Sequence, residues 1–433
     1  MMITNLPTDL MEDILSRVPL KSMRAVGLTC TKWNTLLSSR IFAKLHIGKA
    51  FAPRKKDESE SWMIVKMEDN LYLTSVFVDD VGTCAENKGK LTCLDDQVKI
   101  SDVFHCEGLL LCMVEDDDTR VVVWNPYLGQ TRWIQLRYSH VVPPRSQPCY
   151  DMFGYSIGYE DKGSCRNYKI LRFIDVLLFR EEYEFLWYEI YDFESGLWTT
   201  LDVTDPYWRV QQGGNVSHKG NTYFYVSKRN PRADTDHIIC FDYTSESFGP
   251  LLPLPFVIEG DRVSVTLSNV REEKLAALCD SHKYYGGSFV IWITNMIEAE
   301  KVSWSKFLTF HPDSLPDDFF IRLTPSFYID EVKKVAMFCG KRLYCHIDIV
   351  FIIGEDGYKG EVNLEEGTEE SYLASHDVLC CSYVPSLVQI MQPKGGQWER
   401  KQSDLEKLRY DDMMSRLSIF ESRCETLDHS RSL

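Results

Sequence analysis

The residues with which this chain could do chemistry are 14 cysteines, 10 histidines and 64 carboxylates. Zinc needs thiolates or imidazoles at short, recurrent intervals. No C-x-x-C occurs. Cys106 and Cys112 stand six apart on an apolar, strand-like run, and the adjacent Cys380 and Cys381 point to opposite faces of a strand. His346 and Asp348 share a strand face, but no nucleophile or second base accompanies them. Asp116-Asp117-Asp118 lacks the spaced ligands and the glycine of a calcium loop and reads as a solvated hairpin turn. Ile353-Gly354-Glu355-Asp356-Gly357 puts acids where phosphate would have to sit, so it reads as a tight turn. No G-x-S-x-G, H-E-x-x-H, phosphate loop or dinucleotide fingerprint is present. The expectation is a protein with no catalytic residues, no cofactor and no metal.

Binding remains. Trp124, Trp133, Trp187, Trp198, Trp292 and Trp304 lie on strand-like runs, where packing in the core or between sheets is expected. Trp208 follows Asp205-Pro206-Tyr207 in an expected loop, with Arg209 beside it. Exposed Trp and Arg are what binding hot spots use, so Trp208 and Arg209 are the candidate target contacts.

The elements that would position such contacts come from a chain of 433 residues, 44% hydrophobic and 12% aromatic, enough for two or three domains with filled cores. A net charge of −16 argues against general nucleic-acid coating, which needs a basic face. No run approaches 18 apolar residues, so no membrane partner is expected. Residues 1–9 lack the basic-then-apolar pattern of a secretory signal. Reduced thiols and a cytoplasmic and/or nuclear location are the expectation, with Asn215-Val216-Ser217 unglycosylated. Charge is uneven: residues 1–50 carry seven basic and three acidic groups, and the rest is strongly acidic.

That basic segment reads as three short helices. Leu6, Leu10, Ile14 and Val18 recur every four positions with Leu15 beside them. Pro7 suits a first turn, Asp9, Glu12 and Asp13 suit the positive end of the helix dipole, and Pro19 stops the run. Leu20, Met23 and Val26 suggest a second helix; Trp33, Leu36 and Leu37 suggest a third. Helices this short are marginal alone, and the apolar positions exceed what one tiny bundle needs. The series Leu6-Pro7-Thr8-Asp9-Leu10, Ile14-Leu15, Val18-Pro19, Ser22, Arg24, Cys30, Trp33 and Phe42 resembles the F-box. The resemblance implies binding of a Skp1-like adaptor, and through it a cullin, with Leu6, Pro7, Leu10, Ile14, Leu15 and Pro19 facing the adaptor or shaping that face. Gly27 departs from the pattern, where relatives often carry a longer, frequently basic, side chain.

From about residue 62 the pattern turns to strands: short Val/Ile/Leu/aromatic runs alternate with Gly, Asn, Asp, Pro and Ser. An apolar strand, a polar turn and an aromatic-led strand recur, with turns expected at Asn125, Asp192, Asp242 and Asn295. Spacings of 50–67 residues suit blade-like repeats with insertions. Val123-Trp124-Asn125-Pro126 with Thr131-Arg132-Trp133-Ile134, Tyr191-Asp192-Phe193 with Trp198, and Cys381-Ser382-Tyr383-Val384-Pro385-Ser386-Leu387 resemble blocks of the plant F-box-associated interaction domain, which is kelch-like. The expected fold class is an α+β multidomain chain, with a small three-helix F-box module and a mainly β, degenerate kelch-like propeller domain. The expected boundaries are 1–50 for the F-box, 51–61 for a linker, 62–393 for the β-rich interaction domain and 394–433 for a tail. In that tail, Leu405, Leu408, Met413, Leu417 and Ile419 could line a helix.

The functional expectation is the substrate-recognition subunit of a Skp1–cullin–F-box ubiquitin ligase. It would hold the adaptor with its first module and an unidentified target protein with its body. The alternative is a carbohydrate- or small-ligand-binding propeller whose helical module is only structural.

Overall fold

In the computed structural model the described N-terminal residues are 7–15, 18, 26, 29, 32, 33 and 36. Beyond them, the described segments are 60–67, 70–78, 83–91, 98–115, 117–137, 153–163, 166–177, 184–203, 207–228, 237–256, 264–270, 273–280, 288–311, 319–320, 327–342, 348–355, 357–364, 379–386, 388–390 and 403–431. The chain divides into two compact units. One comprises residues 1–136 and 313–390, the other residues 137–312 and 391–433.

The first unit opens with helix α1 (Thr8–Leu15). Its strands are β1 (Glu60–Met67), β2 (Asn70–Val78), β3 (Thr83–Lys90), β4 (Ile100–Cys106), β5 (Leu109–Val114), β6 (Asp117–Asn125) and β7 (Gln130–Gln135). The second unit holds β8 (Gly154–Asp161), β9 (Arg166–Leu177), β10 (Glu184–Asp192) and β11 (Leu197–Thr200), then β12 (Trp208–His218), β13 (Asn221–Lys228), β14 (His237–Asp242) and β15 (Ser247–Pro253). It continues with β16 (Ser264–Val270), β17 (Lys274–Asp280), β18 (Phe289–Ile297) and β19 (Val302–Phe310). The chain then returns to the first unit for β20 (Phe319–Phe320), β21 (Phe327–Asp330), β22 (Val335–Arg342), β23 (Asp348–Gly354), β24 (Gly357–Asn363) and β25 (Leu379–Ser382). Helix α2 (Asp404–Arg431) ends the second unit.

Each unit carries three antiparallel sheets. In the first they are β25-β1-β2-β3, β4-β5-β6-β7 and β20-β22-β23-β24, with β21 also on β22. In the second they are β8 to β11, β12 to β15 and β16 to β19, each in meander order. The pairing of β1 with β25 joins the first and last strands of the body in one sheet, in register from Met63↔Ser382 to Lys66↔Leu379.

The apolar runs are continuous because sheets bury both faces. Met63 and Val65 point toward Met337, Val350 and Ile352. Ile64, between them, points the other way, toward Leu110, Val122 and Trp124. In the second unit Phe224, Val226 and Phe241 pack on Phe173, Tyr188 and Ile190. From the opposite face of the same sheet, Tyr223, Ile238 and Cys240 pack on Leu267, Leu275 and Ala277. Each fully buried chain of this size is worth about 1.5–3 kcal/mol.

Turn chemistry repeats from sheet to sheet. Glu107-Gly108 and Lys219-Gly220 make two-residue hairpins with positive φ at both positions (44° and 81°; 48° and 86°), the turn whose twist matches paired strands. At Gly108 a Cβ would also lie 2.4 Å from the Ser386 Cβ. Four-residue turns begin at Asn125, Asp192 and Asp242, as expected. Each side-chain Oδ1 accepts an amide two or three residues on: Leu128 at 3.1 Å, Ser195 at 2.5 Å and Thr244 at 2.8 Å. Asn295 is different. It lies inside β18, its Oδ1 accepts from Ser305 Oγ at 3.0 Å, and the turn falls later, where Glu298 N donates to Lys301 O at 2.9 Å. Asp330 makes the same kind of turn, its Oδ1 accepting from Val332 N at 2.9 Å.

Candidate protein-interaction sites

Helix α1 has two apolar stripes rather than one. Met11 and Leu15, four apart, are buried at 7% and 0% exposure; Leu10 and Ile14, also four apart, stand 51% and 40% exposed. The four-residue step puts each pair on one face. Leu15 closes the module's interior against Val18, Val26, Trp33 and Leu36. The Pro7 carbonyl accepts the first helical bond from Met11 N at 3.1 Å, so this exposed proline stands at the helix start, where a missing N–H costs nothing.

Of the residues expected at the adaptor face, Leu10 and Ile14 are thus brought together on an outward apolar stripe beside Pro7. Leu15 is enclosed. Leu6, Pro19 and Gly27 lie outside the described residues, as do most positions of the second and third expected helices.

The expected loop site is placed differently. Trp208 is the first residue of β12, not a loop residue, and is 6% exposed. Its ring meets Phe248 edge-on at 4.8 Å within the cluster that holds Phe224 and Val226. Strand alternation explains the placement: Trp208 and Val210 point inward, while Arg209 and Gln211 point outward and share Ser227 Oγ at 3.3 and 2.7 Å. Arg209 is half-buried. The exposed aromatic is the preceding residue, Tyr207, at 64%.

Trp124, Trp187 and Trp198 are buried, as strand positions imply. Trp133 is exposed on β7 with the Arg120 guanidinium 4.3 Å from its ring centre. Asp117, from the acidic triplet, accepts from Thr119 N at 3.1 Å and pairs with Arg120; it braces its own hairpin. His346 and Asp356 lie outside the described residues.

Two histidines, His218 buried and His105 half-buried, have lowered pKa values. Burial pulls His105 down to about 4, and its Nε2 accepts from Gly108 N at 2.8 Å. Burial likewise pulls His218 to about 4, against a raising hydrogen bond with Asn269. Both sit at hairpin ends. Among the described residues no three His, Cys, Asp or Glu side chains gather as a metal site would require. No helix among them is long and apolar enough to cross a membrane.

A small helical module with an outward apolar stripe, followed by six antiparallel sheets each of four or five strands, defines a protein-binding scaffold built on a repeated blade. Comparison with known families makes this specific. Residues 3–45 match the F-box domain and residues 62–390 match the F-box associated beta propeller domain. The chain is 48% identical over 434 residues to F-box protein At2g38590 of Arabidopsis thaliana, spanning 97% of this chain and 98% of that protein. It is 49% identical to F-box/kelch-repeat protein At1g48625 of the same plant, spanning 98% of each. The chain belongs to the F-box proteins with an F-box-associated propeller body, a family of non-catalytic substrate adaptors, and its six sheets are the blades of that body.

Proposed function

We propose that this chain recruits a target protein to a Skp1–cullin–F-box ubiquitin ligase in the cytoplasm or nucleus, with α1 holding a Skp1-like adaptor and the body holding the target. The supporting observation is the exposed Leu10–Ile14 stripe. Apolar side chains on a helix this short gain most by being covered, and the module's own interior is already filled by Met11 and Leu15. Leu10 and Ile14 anchor the adaptor, Pro7 fixes the start of their helix, and Leu6 and Pro19 flank it in sequence.

The protein itself breaks and forms no bond. It contributes proximity: holding target and ubiquitin donor in one assembly turns a bimolecular transfer into an effectively intramolecular one. Tyr207, exposed at the start of β12, replaces Trp208 as the aromatic to test on the target side.

The test is affinity capture with the intact chain and with a Leu10→Ala/Ile14→Ala variant. Adaptor and cullin should be recovered with the first only, and the target with both. Recovery of adaptor and cullin at equal levels with both would overturn the assignment of α1.

A further inference from the structure

Helix α2 lies past residue 390, where the propeller match ends, and it meets the body through one charged cluster and one apolar patch. Ser403 starts it: Ser403 Oγ accepts from Glu406 N at 3.2 Å. A Ser followed three residues later by Glu is the pattern in which the Glu side chain turns back to cap its own helix. Here Glu406 reaches outward instead. Its Oε1 accepts from Arg137 Nη1 and Nη2 at 2.9 and 3.0 Å, and from Thr200 N and Oγ1 at 2.7 and 2.9 Å.

One turn on, Tyr410 grips the same arginine. Its hydroxyl donates to Arg137 O at 3.0 Å, and its ring lies under the guanidinium at 4.1 Å. Beneath them, Arg137 Nη1 stands 3.6 Å from Glu189 Oε2, and Glu189 Oε1 accepts from Arg172 Nη1 at 2.9 Å. Two guanidinium groups and two carboxylates thus alternate, all nearly buried, with 11% the largest side-chain exposure among the four. Burial pushes the Glu189 carboxyl up, and the two arginines oppose that push.

The second contact is apolar and runs from Tyr410 to Phe420. Leu417 and Phe420, with Met413 and Met414 partly buried beside them, cover Ile174, Phe185 and Trp187. These lie on the face of the β8–β11 sheet opposite the one that packs on β12–β15. The other side of α2 shows Leu405, Leu408 and Ile419 to solvent.

We infer that α2 is a strap: a cover on the β8–β11 sheet that detaches as a unit, with Glu406 on Arg137 and Thr200 as its latch. A buried ion pair adds little over an apolar substitute, yet removing one partner is costly because the other charge stays buried and poorly compensated; without Glu406, the carboxylate left to Arg137 is Glu189, 3.6 Å away. Attachment through such a pair therefore responds steeply to the loss of one carboxylate. The strap leaves the sheets intact when it opens, because their ladders are complete without it.

Amide hydrogen exchange of the full chain, resolved by mass spectrometry, tests this with Glu406→Ala. Peptides from residues 404–420 should exchange at least tenfold faster, while those from β13 and β14 keep their protection. Glu406→Gln retains an acceptor and loses the charge, so its effect should fall between. A chain ending at residue 403 should keep β13 and β14 protected. Unchanged exchange in α2 of the alanine variant would overturn the latch. Loss of protection in β13 and β14 together with α2, in either the alanine or the shortened chain, would overturn the strap. A glutamine variant equal to the native chain would overturn its ionic character.

Discussion

Replacing Leu10 and Ile14 by alanine strips the outward stripe of α1 without entering the module's interior. Full burial of a leucine or isoleucine is worth about 1.5–3 kcal/mol. Part of each side chain is already covered: 51% of Leu10 and 40% of Ile14 remain to be buried. Docking an adaptor on the stripe therefore gains roughly half the full value at each position, about 1.4–2.7 kcal/mol for the pair, or roughly ten- to a hundredfold in affinity. Isothermal titration of a Skp1-like adaptor into the full chain and the double variant measures the difference, with circular dichroism checking that folding is retained. A loss below threefold in a folded variant would refute the anchor role. Leu15→Ala is the internal contrast. It opens a cavity beside Val26 and Trp33 at a cost of about 2–5 kcal/mol, more than a module this small is built to bear, so the expected outcome is loss of helical signal along with binding.

Other outcomes follow from the body. Trp208→Ala should destabilise the protein by about 3–5 kcal/mol, whereas Tyr207→Ala should stay within about 0.5 kcal/mol; an unchanged melting temperature for Trp208→Ala would contradict its packing on Phe248. Gly108→Ala meets both a positive φ and a 2.4 Å clash, whereas Gly163→Ala meets a positive φ with nothing within 4 Å. Thermal melts should rank the first as clearly more damaging, and equal effects would remove the close approach of Ser386 from the account. His105 and His218 are neutral in the folded protein down to about pH 4, whereas unfolded imidazoles take up protons near 6.5. Their contribution is complete above that value and declines as pH falls toward 4, by up to about 1.4 kcal/mol per pH unit for each. Urea unfolding at pH 7.5 and 5 reads this out, and equal stability at both would contradict it.

Much of the architecture was legible because turns and strand runs are local. Asn125, Asp192 and Asp242 carry their own hydrogen-bond acceptors, so a turn can be read from a few residues. Asn295 has the same chemistry but is spent on Ser305 across the hairpin, a contact no local pattern reveals. Periodicity found the helix α1 but not its inside, since Leu10 and Leu15 are equally apolar and only the tertiary partners of Leu15 separate them. The tail misled in the opposite sense. Of the five apolar positions counted there, Met413 and Leu417 face inward, but Leu405, Leu408 and Ile419 are exposed, and the inner face begins at Glu406, an acid whose burial depends on Arg137 far away in the chain. The preceding Asp205-Pro206 suggests a loop at Trp208, whereas the strand begins at Trp208, directly after Tyr207. That single-residue shift decides which aromatic meets solvent.

The central claim, that the N-terminal module alone joins this propeller to a ubiquitin ligase, is tested most directly by titrating a Skp1-like adaptor into the intact chain and into the chain lacking residues 1–50. Saturable one-to-one binding to the intact chain and none to the shortened one is the predicted result; binding of equal strength by both would contradict it.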